Sequence, residues 1–121
     1  MSTIMIVEDD TQIRNVLAEV LEDEGYTTLG AANGSLALQA LASTTRPDLI
    51  ITDIMMPVMD GLRLCESVQS NPATAGIPIM LMSAGNNQRL VDGCRCAAFL
   101  AKPFQITTVL DMVSTVLTRA S

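Results

Sequence analysis

The run Leu49-Ile50-Ile51-Thr52 is apolar at successive positions rather than at alternate ones, and it stops abruptly at Asp53. A strand with one wet face alternates apolar and polar residues, so a continuous apolar run implies a strand covered on both faces, as in a parallel sheet between helical layers. Ile4-Met5-Ile6-Val7 is a second such run, ending in Glu8-Asp9-Asp10. Ile77–Met82 is a third, with Pro78 at its entry, where a missing amide donor is tolerated. Residues 26–31 (YTTLGA) and 97–101 complete a set of five, the former weakened by threonines and a glycine and therefore expected near an edge.

Between these runs the apolar period lengthens to that of a helix. Ile13, Val16, Leu17, Val20 and Leu21 predict an amphipathic helix over 11–24, with Gly25 as its stop. Ala37, Leu38 and Leu41 predict a second over 35–43, and the turn at Asp60-Gly61 opens a third over 62–69. Ile106, Val109, Leu110, Val113 and Leu117 predict a last helix over 104–117, whereas residues 86–94 make at best a short one. Strand and helix thus alternate five times, which specifies an α/β fold with a doubly wound parallel sheet. With 121 residues and no repeat or linker, residues 1–121 are expected to form a single domain.

The core must be aliphatic, because 49% of residues are hydrophobic while Tyr26, Phe99 and Phe104 are the only aromatics. A net charge of −6, without histidine or basic runs, argues against direct binding to nucleic acid. No apolar run has the length of a membrane span, and MSTIMIVEDD does not read as a secretory leader, so a cytoplasmic protein is expected. Cys65, Cys94 and Cys96 are odd in number and suit neither a disulfide framework nor a zinc cage; all three read as small, buried or half-buried residues.

In an open parallel sheet, ligands bind outside the carboxyl ends of the strands. Here those ends carry Glu8-Asp9-Asp10, Asp53, Ser83 and Lys102. Crowded carboxylates repel one another, and a hard divalent cation removes that cost; Mg²⁺ suits a site with few carboxylates and room for phosphate oxygens. A lysine beside a hydroxyl supplies positive charge and a donor for a phosphoryl group. The set therefore suggests phosphoryl transfer onto a carboxylate, with Asp53, alone on the middle strand, as the nucleophile.

IVEDD, LIITDIMMPVMDG, MLMSA and FLAKPF, in that order and across essentially the whole chain, resemble the motifs of the response-regulator receiver domain, of the chemotaxis-regulator type. The resemblance implies a flavodoxin-like (βα)₅ fold with strand order 2-1-3-4-5. It implies that Asp53 is the phosphorylated residue and that Glu8, Asp9, Asp53 and the Met55 carbonyl hold Mg²⁺. Lys102 corresponds to the phosphate-binding lysine, Ser83 to the switch hydroxyl and Phe99 to the aromatic switch position. The implied donor is a phosphohistidine on a sensor histidine kinase or phosphotransfer protein. The receiver itself would catalyse the transfer and its own dephosphorylation, acting mainly as a signalling switch in a two-component phosphorelay. With no effector segment after the last helix, output is expected to pass to another protein, or the chain is a receiver cut from a larger regulator. A monomer or weak dimer is expected.

The stretch before the fifth strand departs from the family pattern, with Arg95-Cys96 in place of the usual Gly-Ala. The step from Ser83 to Lys102 is short, and AGNNQRLVDG is a poor helix, so the fourth helix should be short or irregular. Met55 and Gly85 cannot hydrogen-bond a hydrolytic water through their side chains, which predicts slow loss of phosphate. Several residues also have plainer roles available: Asp10 as a helix N-cap, Lys102-Pro103 as a strand exit with Pro opening the last helix, and Phe99 as core. The alternative to a phosphorylatable receiver is a receiver-shaped module that binds its partner regardless of phosphorylation.

Overall fold

The computed structural model describes residues 2–43, 46–84 and 95–120. Five parallel strands, β1 (Thr3–Val7), β2 (Thr27–Ala31), β3 (Leu49–Asp53), β4 (Ile79–Ala84) and β5 (Ala98–Lys102), form one sheet in the order β2-β1-β3-β4-β5. Four helices occur among the described residues: α1 (Thr11–Asp23), α2 (Gly34–Ser43), α3 (Gly61–Ser70) and α4 (Ile106–Ala120). The short helix expected over 86–94 lies outside them.

The strand side chains divide by parity, as the two-residue repeat of a pleated strand requires. Ile4, Ile6, Leu49, Ile51, Met80, Met82 and Leu100 pack with Leu17 and Leu21 of α1 and Val109, Val113 and Val116 of α4. Met5, Val7, Ile50, Ile79 and Leu81 pack on the other face with Ala37 of α2 and Leu64, Cys65 and Val68 of α3. The register pairs Val7 with Thr52, Asp53 with Met82 and Ala84 with Lys102, so the strand ends carrying polar residues finish along one edge.

Several expectations shift in detail. β4 begins at Ile79 rather than Ile77: the Pro78 carbonyl accepts from the Ile50 amide at 3.0 Å, but the proline has no amide to return, so the regular ladder starts after it. The last helix begins at Ile106, not 104: the Gln105 carbonyl accepts from the Val109 amide at 3.2 Å, which places Gln105 just before the first turn, and Pro103 is therefore not the helix's first residue. Val16 and Ile106 point to solvent at the margins of their helical stripes, and Val116 takes an inward place not foreseen. Cys65 is held in a disulfide, contrary to the reading of the cysteines as unpaired; spacing along a chain does not reveal which thiols meet in space. Cys96 is free and half-buried, and burial pushes its thiol pKa up.

Candidate functional site

The ladder between β1 and β2 extends one residue beyond β1, where the Glu8 amide donates to the Ala31 carbonyl at 3.0 Å. The chain then turns into α1. Asp10 caps that helix, its carboxylate accepting from the amides of Gln12 at 2.9 Å and Ile13 at 3.2 Å, so the plain N-cap reading of this acid is correct. Glu8 is only 1% exposed and fully engaged. Its Oε1 accepts from Lys102 Nζ at 2.8 Å, its Oε2 from the Asp10 amide at 3.2 Å, and its carbonyl from Arg14 Nη1 at 2.6 Å. Asp9, by contrast, faces solvent.

Asp53 ends β3 and is 6% exposed. Its Oδ2 accepts from Lys102 Nζ at 2.9 Å, so one ammonium group joins the ends of β1, β3 and β5. After Asp53 the chain stays pinned, with the Ile54 amide donating to Met82 O at 2.9 Å and the Gly61 amide to Ile54 O at 2.8 Å. This return brings Gly61 so close to the strand end that a Cβ there would lie 2.2 Å from the Asp53 carbonyl oxygen. Only glycine fits, which explains the Asp60-Gly61 turn: Asp60 caps α3 by accepting from the Arg63 amide at 2.9 Å, and Gly61 makes room for the Asp53 backbone.

Oxygen atoms of Glu8, Asp9 and Asp53 all lie within 4.8 Å of one another. The hydrogen bond with Glu8 raises the Asp9 carboxyl above its ordinary pKa of 3.8, with burial and the Glu8 charge adding to it. Burial is the largest single influence on Lys102 and would lower its pKa, but its bonds to Glu8 and Asp53 and their charges outweigh it and raise it above 10.5. An acidic cluster built wholly of hard oxygen donors, two of them withdrawn from water, is chemically suited to Mg²⁺.

The remaining sequence candidates are placed less directly. Ser83 is buried on β4 beside Ala101, one register step before the Ala84–Lys102 pair, and its hydroxyl lies 3.4 Å from the Ala84 carbonyl. Phe99 pairs with Leu81 on the sheet and packs, half-buried, against the α2–α3 side of the core. The Met55 side chain is 65% exposed in the loop after Asp53, and Gly85 lies outside the described residues. Sequence reasoning missed Arg14. A signal was present, since a cation in the first turns of a helix opposes the helix dipole and calls for a specific partner.

A buried aspartate, an acid pair and a lysine at the carboxyl edge of a 2-1-3-4-5 sheet define a receiver-type site. The family model for the response regulator receiver domain matches residues 4–114, and the chain belongs to that family, whose members act in two-component signalling. The chain is similar to the DNA-binding dual master transcriptional regulator RpaA of Synechocystis, with 35% identity over 98% of this chain and 50% of that protein. It is also similar to the chemotaxis protein CheY of Halobacterium salinarum, with 34% identity over 95% of this chain and 96% of that protein. The chain spans about half the length of RpaA and 57% of the transcriptional regulatory protein PdtaR of Mycobacterium tuberculosis. Among solved structures, the signal receiver domain of a histidine kinase from Syntrophus aciditrophicus superposes with a TM-score of 0.90 at 34% identity, covering 98% of this chain and 92% of that one. The chemotaxis response regulator CheY4 of Vibrio cholerae gives 0.88 at 30% identity, covering 96% and 98%.

Proposed function

We propose that residues 1–121 act as one phospho-accepting receiver in which Asp53 takes a phosphoryl group from a phosphohistidine on a sensor histidine kinase or phosphotransfer protein. The observation that carries this reading is the Lys102 ammonium group bound to both Glu8 and Asp53, beside the cluster of three carboxylates. Asp53 attacks phosphorus, the P–N bond to the donor imidazole breaks, and the imidazole keeps the electron pair and takes up a proton. Lys102 would hold a phosphoryl oxygen, and Glu8, Asp9, Asp53 and the Met55 carbonyl would hold Mg²⁺. When bound, that ion supplies positive charge to the phosphoryl oxygens as negative charge develops on them.

Phosphorylation of Asp53 would draw the Ser83 hydroxyl toward the new oxygens, and Phe99 would respond by turning further into the core, changing the surface offered to a downstream protein. The Met55 side chain gives an attacking water no hydrogen-bond partner, so slow dephosphorylation is expected. Intact-mass measurement after incubation with Mg²⁺ and acetyl phosphate tests the reading. One added phosphoryl group is expected in the native protein and none in Asp53→Asn or in excess EDTA. No added mass in the native protein, or the same mass in Asp53→Asn, would refute it and leave the phosphorylation-independent binding module.

A further inference from the structure

We infer that Arg14 is a positioning residue that fixes the acid pair Glu8-Asp9 for metal binding, reaching it through a lane kept open by Gly30. The inference rests on the receiver reading of the acid cluster but concerns a residue outside it. Arg14 Nη1 donates to the Glu8 carbonyl at 2.6 Å, from six residues further along the chain. That carbonyl begins the Glu8–Asp9 peptide, so the bond restrains the rotation that aims the exposed Asp9 carboxylate. Glu8 is thereby held at its amide by Ala31, at its carbonyl by Arg14, and at its two carboxylate oxygens by Lys102 and the Asp10 amide.

The path of the Arg14 side chain is visible at β2. A Cβ added to Gly30 would stand 3.4 Å from Arg14 Cδ, 3.6 Å from Nε and 3.8 Å from Cγ, so the arginine stem lies flat across this glycine. A glycine in a strand interior weakens the strand and often marks the close approach of another group. Here that group is the arginine stem. Alanine would just fit at residue 30, whereas a branched side chain would occupy the lane and push the guanidinium off the Glu8 carbonyl.

Groups that orient metal ligands without touching the metal commonly change affinity by 10- to 100-fold when removed. The test compares the native protein with Arg14→Met, which keeps the stem and removes the donors, Arg14→Lys, which keeps a donor and the charge, and Gly30→Val, which keeps Arg14 but blocks its path. Mg²⁺ affinity is measured by calorimetry, and amide hydrogen exchange at Glu8 and Asp10 is measured separately in EDTA. Arg14→Met should weaken Mg²⁺ binding by about tenfold and speed exchange at both amides. Arg14→Lys should restore most of both, and Gly30→Val should behave like Arg14→Met without a lower melting temperature, since valine suits a strand. Native-like affinity and exchange in Arg14→Met would overturn the inference, and native-like behaviour in Gly30→Val would overturn the role of the lane. If the native protein binds no Mg²⁺, the metal-binding reading fails on its own. The exchange measurement then still decides on Arg14: faster exchange in Arg14→Met upholds its hold on Glu8, and unchanged exchange removes it.

Discussion

Gly61→Ala should damage both stability and phosphoryl acceptance, because the added methyl meets backbone and nothing that can move aside. The new Cβ would lie 2.2 Å from the Asp53 carbonyl oxygen and 3.0 Å from both Asp53 C and Ile54 Cα, about 1.2 Å inside the 3.4 Å at which ordinary contact begins. Relief requires α3 and the end of β3 to separate, which also strains the 2.8 Å bond from the Gly61 amide to Ile54 O. Overpacking of this kind costs about 1–3 kcal/mol and the weakened hydrogen bond about 1 more, giving roughly 3 kcal/mol and a melting temperature lower by about 10 °C or more. Displacing Asp53 by about 1 Å should slow phosphorylation from acetyl phosphate by about 100-fold. Gly76→Ala is the control, since its Cβ would meet only the mobile tip of Arg46 at 3.0 Å; it should change stability by less than about 0.5 kcal/mol. Thermal unfolding followed by circular dichroism, with phosphorylation followed by intact mass, reads both effects. A melting temperature for Gly61→Ala within about 2 °C of native, where about 10 °C is expected, would show that the strand end yields easily and refute the reasoning.

Val58, 82% exposed, holds a φ of 71°, which is strained for a β-branched residue, so Val58→Asn should raise stability by about 1 kcal/mol with little loss of buried apolar area; an unchanged unfolding midpoint would count against that strain. Asp10→Ala removes the acceptor for two amides at the start of α1 and should cost about 0.5–2 kcal/mol in urea unfolding. Lys102→Met leaves the buried Glu8 and Asp53 carboxylates facing each other without their cation. It should cost about 1–3 kcal/mol at neutral pH, below the value for a fully buried pair because the lysine is 19% exposed. The Lys102 pKa is raised in the fold, so its contribution is fully present below the unfolded value of about 10.5 and is lost as pH rises through the higher folded value. Unfolding curves of native protein and Lys102→Met should therefore stay parallel through neutral pH and converge only in strong alkali; convergence near pH 7 would contradict the raised pKa.

The sheet was legible because the apolar runs at 4–7 and 49–52 could only be strands covered on both faces, and the acids and lysine that follow them fall together once strand order is known. What escaped were relations perpendicular to the chain. The Arg14 bond spans two elements, and the disulfide at Cys65 depends on a contact that spacing does not encode. Val16 and Ile106 were misplaced for a simpler reason: helical periodicity gives a stripe but not its angular width, so marginal residues can fall on either side.

The sheet ladder joins only neighbouring strands, and in the order β2-β1-β3-β4-β5 the outermost strand β5 shares no ladder with β3 or β1. The Lys102 side chain supplies that missing tie, strapping the rim strand to the two strands that carry the acids. The strap has a single buckle, one ammonium group shared by Glu8 and Asp53. The centre of the sheet and its margin are thus joined by a charge as well as by the ladders of the strand between.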